Sequence, residues 1–197
     1  MGTRFDLVGR PVNTGVNLRD VLKSGYGDKR SIEYLSSKHY ELNNTLSDSN
    51  QQVYINNESK KILFNVSGTH NLNDVYTDLF LAFGRLKNTK RYREARDRIQ
   101  KVRDYYKDYE VTVTGHSLGG AIAQYIAKPS EKVYTFNKGA TIGQKTRKNE
   151  IAYRTKGDIV SILSSGATRS KTLNSVAMEK DPLTNHKTDS LSEEIQV

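Results

Sequence analysis

The sequence predicts an α/β domain, a mostly parallel central sheet flanked by helices. Three observations lead there. Short β-branched runs alternate with stretches whose apolar residues recur every three or four positions, which is the pattern of parallel strands joined by crossover helices. One junction, TVTGHSLGGAIA at 112–123, passes directly from a β-branched run, through a serine between glycines, into small helix-formers. The 197 residues hold no internal repeat and no linker-like stretch, so the chain reads as a single domain, 1–197, able to bury one core.

The elements follow in order. Residues 1–50 are polar, with short helices expected near 17–23 and 31–37. QQVYIN (51–56) and KILFNVSG (61–68) predict two strands joined by the turn-like NESK. Leu72, Val75, Leu79, Phe83 and Leu86 stand at helical spacing and predict a helix over 72–86. A second, strongly amphipathic helix is predicted over 90–109. Its apolar side is Tyr92, Ala95, Ile99, Val102, Tyr106 and Tyr109, and basic residues fill the other side. A strand at 110–114, the serine turn, a helix at 118–128 stopped by Pro129, and strands at 132–136, 151–155 and 158–163 complete the pattern. A polar tail follows.

Composition narrows the function classes. There is no cysteine, which excludes disulfides and Cys-ligated zinc and favours a reducing compartment. The start, MGTRFDLVGR, has no apolar core of the kind a signal peptide needs, and no apolar run is long enough to span a bilayer. A cytoplasmic protein is the expectation. No His-rich cluster suggests a metal, and no cofactor motif is present. The net charge is +9, and much of it is local: between Arg85 and Lys107 ten basic residues face three acidic ones, a net of +7. Such a segment could attract an anionic membrane surface through the helix at 90–109; it could also attract nucleic acid, though no RNA- or DNA-binding signature surrounds it.

Ser117 stands where strand gives way to helix, flanked by Gly115 and His116 before it and Leu118 and Gly119 after it. This is the setting of the G-x-S-x-G nucleophile elbow. A tight strand-to-helix turn strains the serine backbone, and side chains two residues either side would clash. The helix N-terminus supplies positive potential and free N–H groups for a developing oxyanion. His116, inside the elbow, is expected to pack beside the sheet. His70 is expected to cap a loop or face solvent, and His39 to lie on the surface.

From these residues the chain resembles the class 3 lipases, α/β-hydrolases whose elbow commonly reads GHSLGG, as residues 115–120 do. ILFNVSGTHNLNDVYTDL (62–79) is similar to the family's strand-plus-GT segment, VYTFNKGATIG (133–143) to the strand and loop after the elbow helix, and YRTKGDIVSIL (153–163) to the segment with the catalytic aspartate. The compact size resembles small members found in large DNA viruses. The resemblance implies Ser117 as nucleophile, Asp158 as the acid that orients the base, and the N–H groups of Thr69 and Leu118 as the oxyanion hole. In this fold the triad runs Ser, Asp, His along the chain, and His186 is the one histidine beyond Ser117. Asp181 is the rival acid, five residues before it. The sequence departs from the family in having Val66-Ser67 where an arginine precedes the GT pair, and in placing a basic helix where the family has a glycine–phenylalanine segment.

The resemblance implies a serine hydrolase that cleaves lipid carboxylic esters, acylglycerol or phospholipid, with a lipid ester as its partner and no cofactor. Two other classes stay open: a catalytically inactive lipase-fold structural or virion protein, and a basic module that binds nucleic acid or membrane.

Overall fold

The computed structural model describes residues 15–71, 74, 85–139, 146–155, 171–173 and 187–197. Within them, four α-helices and seven strands are β1 (Glu41–Leu42), β2 (Gln51–Asn56), β3 (Lys61–Val66), β4 (Glu110–His116), β5 (Lys132–Phe136), β6 (Glu150–Thr155), β7 (Lys171–Leu173), α1 (Leu18–Ser24), α2 (Lys29–Ser37), α3 (Lys90–Tyr105) and α4 (Leu118–Ile126). The strands lie in one sheet in sequence order. β1–β2 and β2–β3 pair antiparallel. β3 through β7 run parallel.

Strand polarity decides the layering. In β2 and β3, Val53, Ile55, Ile62, Phe64 and Val66 share a cluster with Ala95, Ile99 and Val102 of α3 and Ala121, Ile122 and Ile126 of α4. The alternate residues Tyr54 and Leu63 pack with Val21 and Leu35 of α1 and α2. Side chains of a strand point to opposite faces in turn, so α3 and α4 cover one face and α1 and α2 the other. Both crossovers lie on one face because the strand order advances in one direction and such connections are right-handed.

Three helices start on a side-chain cap. Asn17 Oδ1 accepts from Asp20 N at 2.8 Å, Asp28 Oδ1 from Ser31 N at 2.9 Å, and Thr89 Oγ1 from Tyr92 N at 3.2 Å. Each cap fills one of the donors a first turn leaves open. The fourth, α4, starts at Ser117 with no side-chain cap.

The structure corrects several sequence boundaries. The helix expected over 90–109 ends at Tyr105. Tyr106 leaves helical geometry and packs edge-on against Tyr109 at 5.0 Å. The helix expected over 118–128 ends at Ile126, because the residue before a proline, Lys128, is pushed toward extended backbone. The strand expected over 61–68 stops at Val66, the last rung against β4, opposite Gly115. β1 and β7 were not expected. Nearly all of the helix expected over 72–86 and all of the strand expected over 158–163 lie outside the described residues.

Candidate active site

The parallel strands end together at one edge of the sheet, the edge where α/β folds place their chemistry. Ser117 sits there between β4 and α4, at φ 57°, ψ −126°. A non-glycine residue in that region is strained by about 1–3 kcal/mol and persists only where its surroundings dictate it. Here the backbone is held from three sides. Ser117 N donates to Phe136 O at 3.1 Å, and Ser117 O accepts from Gly120 N and Gly139 N, both at 3.0 Å.

The flanking glycines are a steric requirement. A Cβ on Gly115 would lie 2.4 Å from Gly119 O, and one on Gly119 only 2.0 Å from Val66 O. Both obstacles are backbone, so neither position accepts a side chain. Ser117 Oγ is buried, and among the described residues no group hydrogen-bonds to it. This serine is therefore strained, and its hydroxyl has no partner among the described residues.

Gly68 brings the second strand to the serine. A Cβ there would lie 2.8 Å from His116 O and 3.0 Å from Ser117 Cβ. Thr69, the next residue, is half-buried beside the turn, and Leu118 is the first residue of α4. The structure therefore brings Ser117, Gly115, Gly119, Thr69 and Leu118 to one place. Arg91 of α3 donates to Ser67 O, between the end of β3 and Thr69, so an arginine does reach this segment although none stands directly before Gly68 in sequence.

His116 is buried, stacked on Phe136 with ring centroids 5.7 Å apart and 23° between planes, and its Nδ1 lies 2.6 Å from Tyr26 Oη. It packs beside the sheet, as expected. His70 is exposed, with Nε2 2.8 Å from Ser49 O. His39 pairs with Glu58 at 3.4 Å, at the opposite end of the strands.

Tyr26 was missed by the sequence reading. It lies in the turn between α1 and α2, and burial pushes its hydroxyl well above the usual tyrosine range. The signal was SGYGDK at 24–29. An aromatic between two glycines can enter a crowded edge. A Cβ on Gly25 would strike Asn65 Nδ2 at 2.5 Å and Ser67 Oγ at 2.6 Å, and Gly27 takes φ 79°.

Asp158, His186 and the rival Asp181 lie outside the described residues. The segment that follows His186 is described, and it is fastened to α1. Lys23 Nζ meets Asp189 Oδ1 at 2.9 Å and Arg19 meets Glu193 at 3.0 Å. Lys23 holds the Asp189 carboxyl below its usual range. Leu191 is buried with Leu18, Leu22 and Phe136. β6 ends at Thr155, three residues before Asp158, with its N–H donated to Asn137 Oδ1 at 2.8 Å.

The basic helix is less free than its sequence suggests. Arg91 is used on Ser67 O, Arg98 on Leu46 O at 2.8 Å and Asp48 at 3.2 Å, and Arg103 on both oxygens of Glu131 at 2.8 Å. Lys90 and Arg96 face Glu94 and Asp97. Among the described residues no three metal-ligating side chains gather, and no helix is long and apolar enough to cross a membrane.

The sequence profile of the family described as lipase (class 3) matches residues 41–185. Among solved structures, the chain is similar to the Lip2 lipase from Yarrowia lipolytica, at TM-score 0.57 and 19% identity over 85% of this chain and 80% of that one. It is similar to a lipase from Rhizopus microsporus var. chinensis, at 0.52 and 20% over 80% and 72%. It is also similar to a triacylglycerol lipase whose catalytic centre is formed by a serine protease triad, at 0.50 and 15% over 76% and 73%. No curated protein sequence matches the chain. The chain belongs to the class 3 lipase family and has the α/β-hydrolase fold of its structural neighbours. Family and fold together support lipid ester hydrolysis by a serine hydrolase.

Proposed function

We propose that the protein hydrolyses carboxylic esters of lipids, acylglycerols or phospholipids, through an acyl-enzyme on Ser117. The observation that carries this reading is the Ser117 backbone at φ 57°, ψ −126° between two glycines that have no room for a side chain. A strained serine at the mouth of a parallel sheet, its hydroxyl without a partner among the described residues, is what covalent acyl transfer uses.

In this reading His186 takes the proton from Ser117 Oγ and returns it to the leaving alcohol, while Asp158 orients the imidazole. The N–H groups of Thr69 and Leu118 receive the oxyanion. Support comes from chain order, from the triad of the structurally similar triacylglycerol lipase, and from the fastening of residues 187–197 to α1. Ser117 Oγ bonds to the ester carbonyl carbon, the oxyanion collapses to the acyl-enzyme as the C–O bond breaks and the alcohol leaves with the proton from His186, and water attacks the acyl group in the same way to release the fatty acid and restore Ser117.

Attraction to an anionic lipid surface through residues 90–109 rests on the exposed cations with no described carboxylate, Arg93, which donates to Asn88 O at 2.7 Å, Lys101 and Lys107. The test of the whole reading is a fluorophosphonate probe with a panel of p-nitrophenyl esters. Labelling at Ser117 and turnover, both lost in Ser117→Ala, are expected. A folded protein that neither labels nor turns over would move the assignment to an inactive lipase fold, and salt-sensitive retention on DNA without labelling to a binding module.

A further inference from the structure

The β3–β4 ladder makes its last rung at Val66 and Gly115. The groups expected to receive the oxyanion lie beyond it, on Thr69 past β3 and Leu118 past β4. Past the ladder, one hydroxyl joins the two strand ends. Gly68 N donates to Tyr26 Oη at 3.1 Å, and Tyr26 Oη lies 2.6 Å from His116 Nδ1. Gly68 precedes Thr69, and His116 precedes Ser117.

The direction of these bonds follows from satisfaction. The Gly68 N–H can only donate, so the Tyr26 oxygen accepts it. The Tyr26 proton is buried and needs an acceptor, and Nδ1 of a neutral His116 provides one. This places the His116 proton on Nε2, a tautomer assigned from the hydrogen bonding. Burial keeps Tyr26 protonated and so preserves it as a donor. Tyr26 is itself fixed from below: Ser67 Oγ donates to Gly25 O at 2.9 Å, and Asn65 and Gln52 continue that buried polar network across the sheet, with Asn65 Nδ2 2.8 Å from Gln52 Oε1.

We propose that Tyr26 is a positioning residue for the reaction at Ser117: its hydroxyl cross-links the strand end bearing Thr69 to the elbow bearing Leu118 and so sets the spacing of the two oxyanion donors. This rests on the serine hydrolase reading above. A pair of donors helps only when both point at the place the charge develops, and small errors in such geometry are costly.

The test is Tyr26→Phe, compared with Ser31→Ala. The latter removes the 2.7 Å bond from Ser31 Oγ to Asp20 and loosens the same helix pair without touching Tyr26. Tyr26→Phe should lower kcat for a p-nitrophenyl ester by about 10-fold with KM within about twofold, short of the roughly 10²–10³-fold cost of deleting an oxyanion donor outright. The inhibition constant of a trifluoromethyl ketone, which forms a tetrahedral adduct on the serine, should rise by the same factor as kcat/KM falls. Ser31→Ala should shift the melting temperature and leave kcat and that constant unchanged for the folded protein. Wild-type values for Tyr26→Phe, or a loss that follows only its unfolded fraction, would overturn the proposal. If Tyr26→Phe folds poorly, 3-fluorotyrosine at position 26 keeps ring and hydroxyl and alters donor strength; it must change kcat without changing KM, and no change is equally fatal. A wild-type protein that neither labels with a fluorophosphonate nor turns over ester overturns the nucleophile reading, and the role of Tyr26 with it, whereas active wild type with unaffected Tyr26→Phe removes Tyr26 alone.

Discussion

Lys138 and Glu150 form an ion pair inside the protein, Nζ to Oε1 at 2.6 Å, with 3% and 0% of their side chains exposed. Lys138 follows the strand after the elbow, and Glu150 opens β6. Thr135 Oγ1 also donates to Glu150, at 2.9 Å, and Lys138 reaches Gln124 of α4 at 3.4 Å. Burial pulls the lysine below its usual range, with Glu150 opposing that shift. The pair thus clamps α4, β5 and β6 beneath the serine. Removing one partner leaves a buried charge, so Glu150→Gln or Lys138→Met should each cost about 3–5 kcal/mol. Replacing both with apolar residues of similar volume should cost much less. Urea denaturation of the two single variants and the double variant measures this; a fully additive double variant would show that the two groups are not coupled.

Ser117→Ala should lose about six orders of magnitude in turnover, as removal of a triad serine does elsewhere. Kinetics and thermal unfolding on one preparation check that turnover is lost while the fold is kept. Gly119→Ala should fail to fold, since its Cβ would lie 2.0 Å from Val66 O.

How far the site was legible in the sequence depends on what fixed each part. Gly115, Ser117 and Gly119 were readable because one steric rule, a turn with no room for Cβ, writes itself into three neighbouring letters. The alternation of strands and helices was readable for a similar reason: periodicity is local. Tyr26 was not, because its role arises from a contact with His116 ninety positions away. The destinations of Arg91, Arg98 and Arg103 were hidden likewise. From the sequence they belong to one basic face, yet each bonds to a different part of the molecule. β1, with two residues, is too short to leave any period.

Alkaline pH should destabilise the fold through its buried tyrosines. Burial pushes Tyr40 up to about 12, with Glu110 adding to it, and raises Tyr26 as well. In the unfolded chain both lose their protons near pH 10. Between pH 10 and about 12 the native state therefore holds more protons than the unfolded one, and stability falls as pH rises. The contribution is complete below pH 10. Urea midpoints at pH 9, 10 and 11 should decline, and Tyr40→Phe should flatten the decline. An unchanged slope in that variant would point to other groups.

Leu191→Ala tests the tail. Leu191 is 1% exposed against Leu18, Leu22 and Phe136, so truncation should cost about 2–5 kcal/mol. If His186 is the base, kcat of the remaining folded protein should fall too, because residue 186 is displaced with its neighbour. Melting curves paired with kcat per folded molecule distinguish the two effects.

Vesicle binding should respond to salt only weakly. Each cation that reaches an anionic surface contributes about 1 kcal/mol, and on residues 90–109 the exposed cations without a described carboxylate are few: Arg93, Lys101 and Lys107. Sedimentation with phosphatidylglycerol vesicles at low and physiological salt should show a change that Arg93→Gln, Lys101→Gln and Lys107→Gln together abolish. A steep salt dependence surviving the triple variant would assign the surface to other residues.

The fastening of residues 187–197 to α1 also sets a timetable. Arg19 waits for Glu193, 174 positions later in the chain, and the apolar side of Leu18 and Leu22 waits for Leu191. A growing polypeptide makes the elbow strand long before that cover exists. Until synthesis passes residue 191, this face stays open, a surface for chaperones to hold, and the tail bearing the proposed base has nowhere to settle. On the proposed reading, the strands that would carry the reaction are made well before the segment that bears its base.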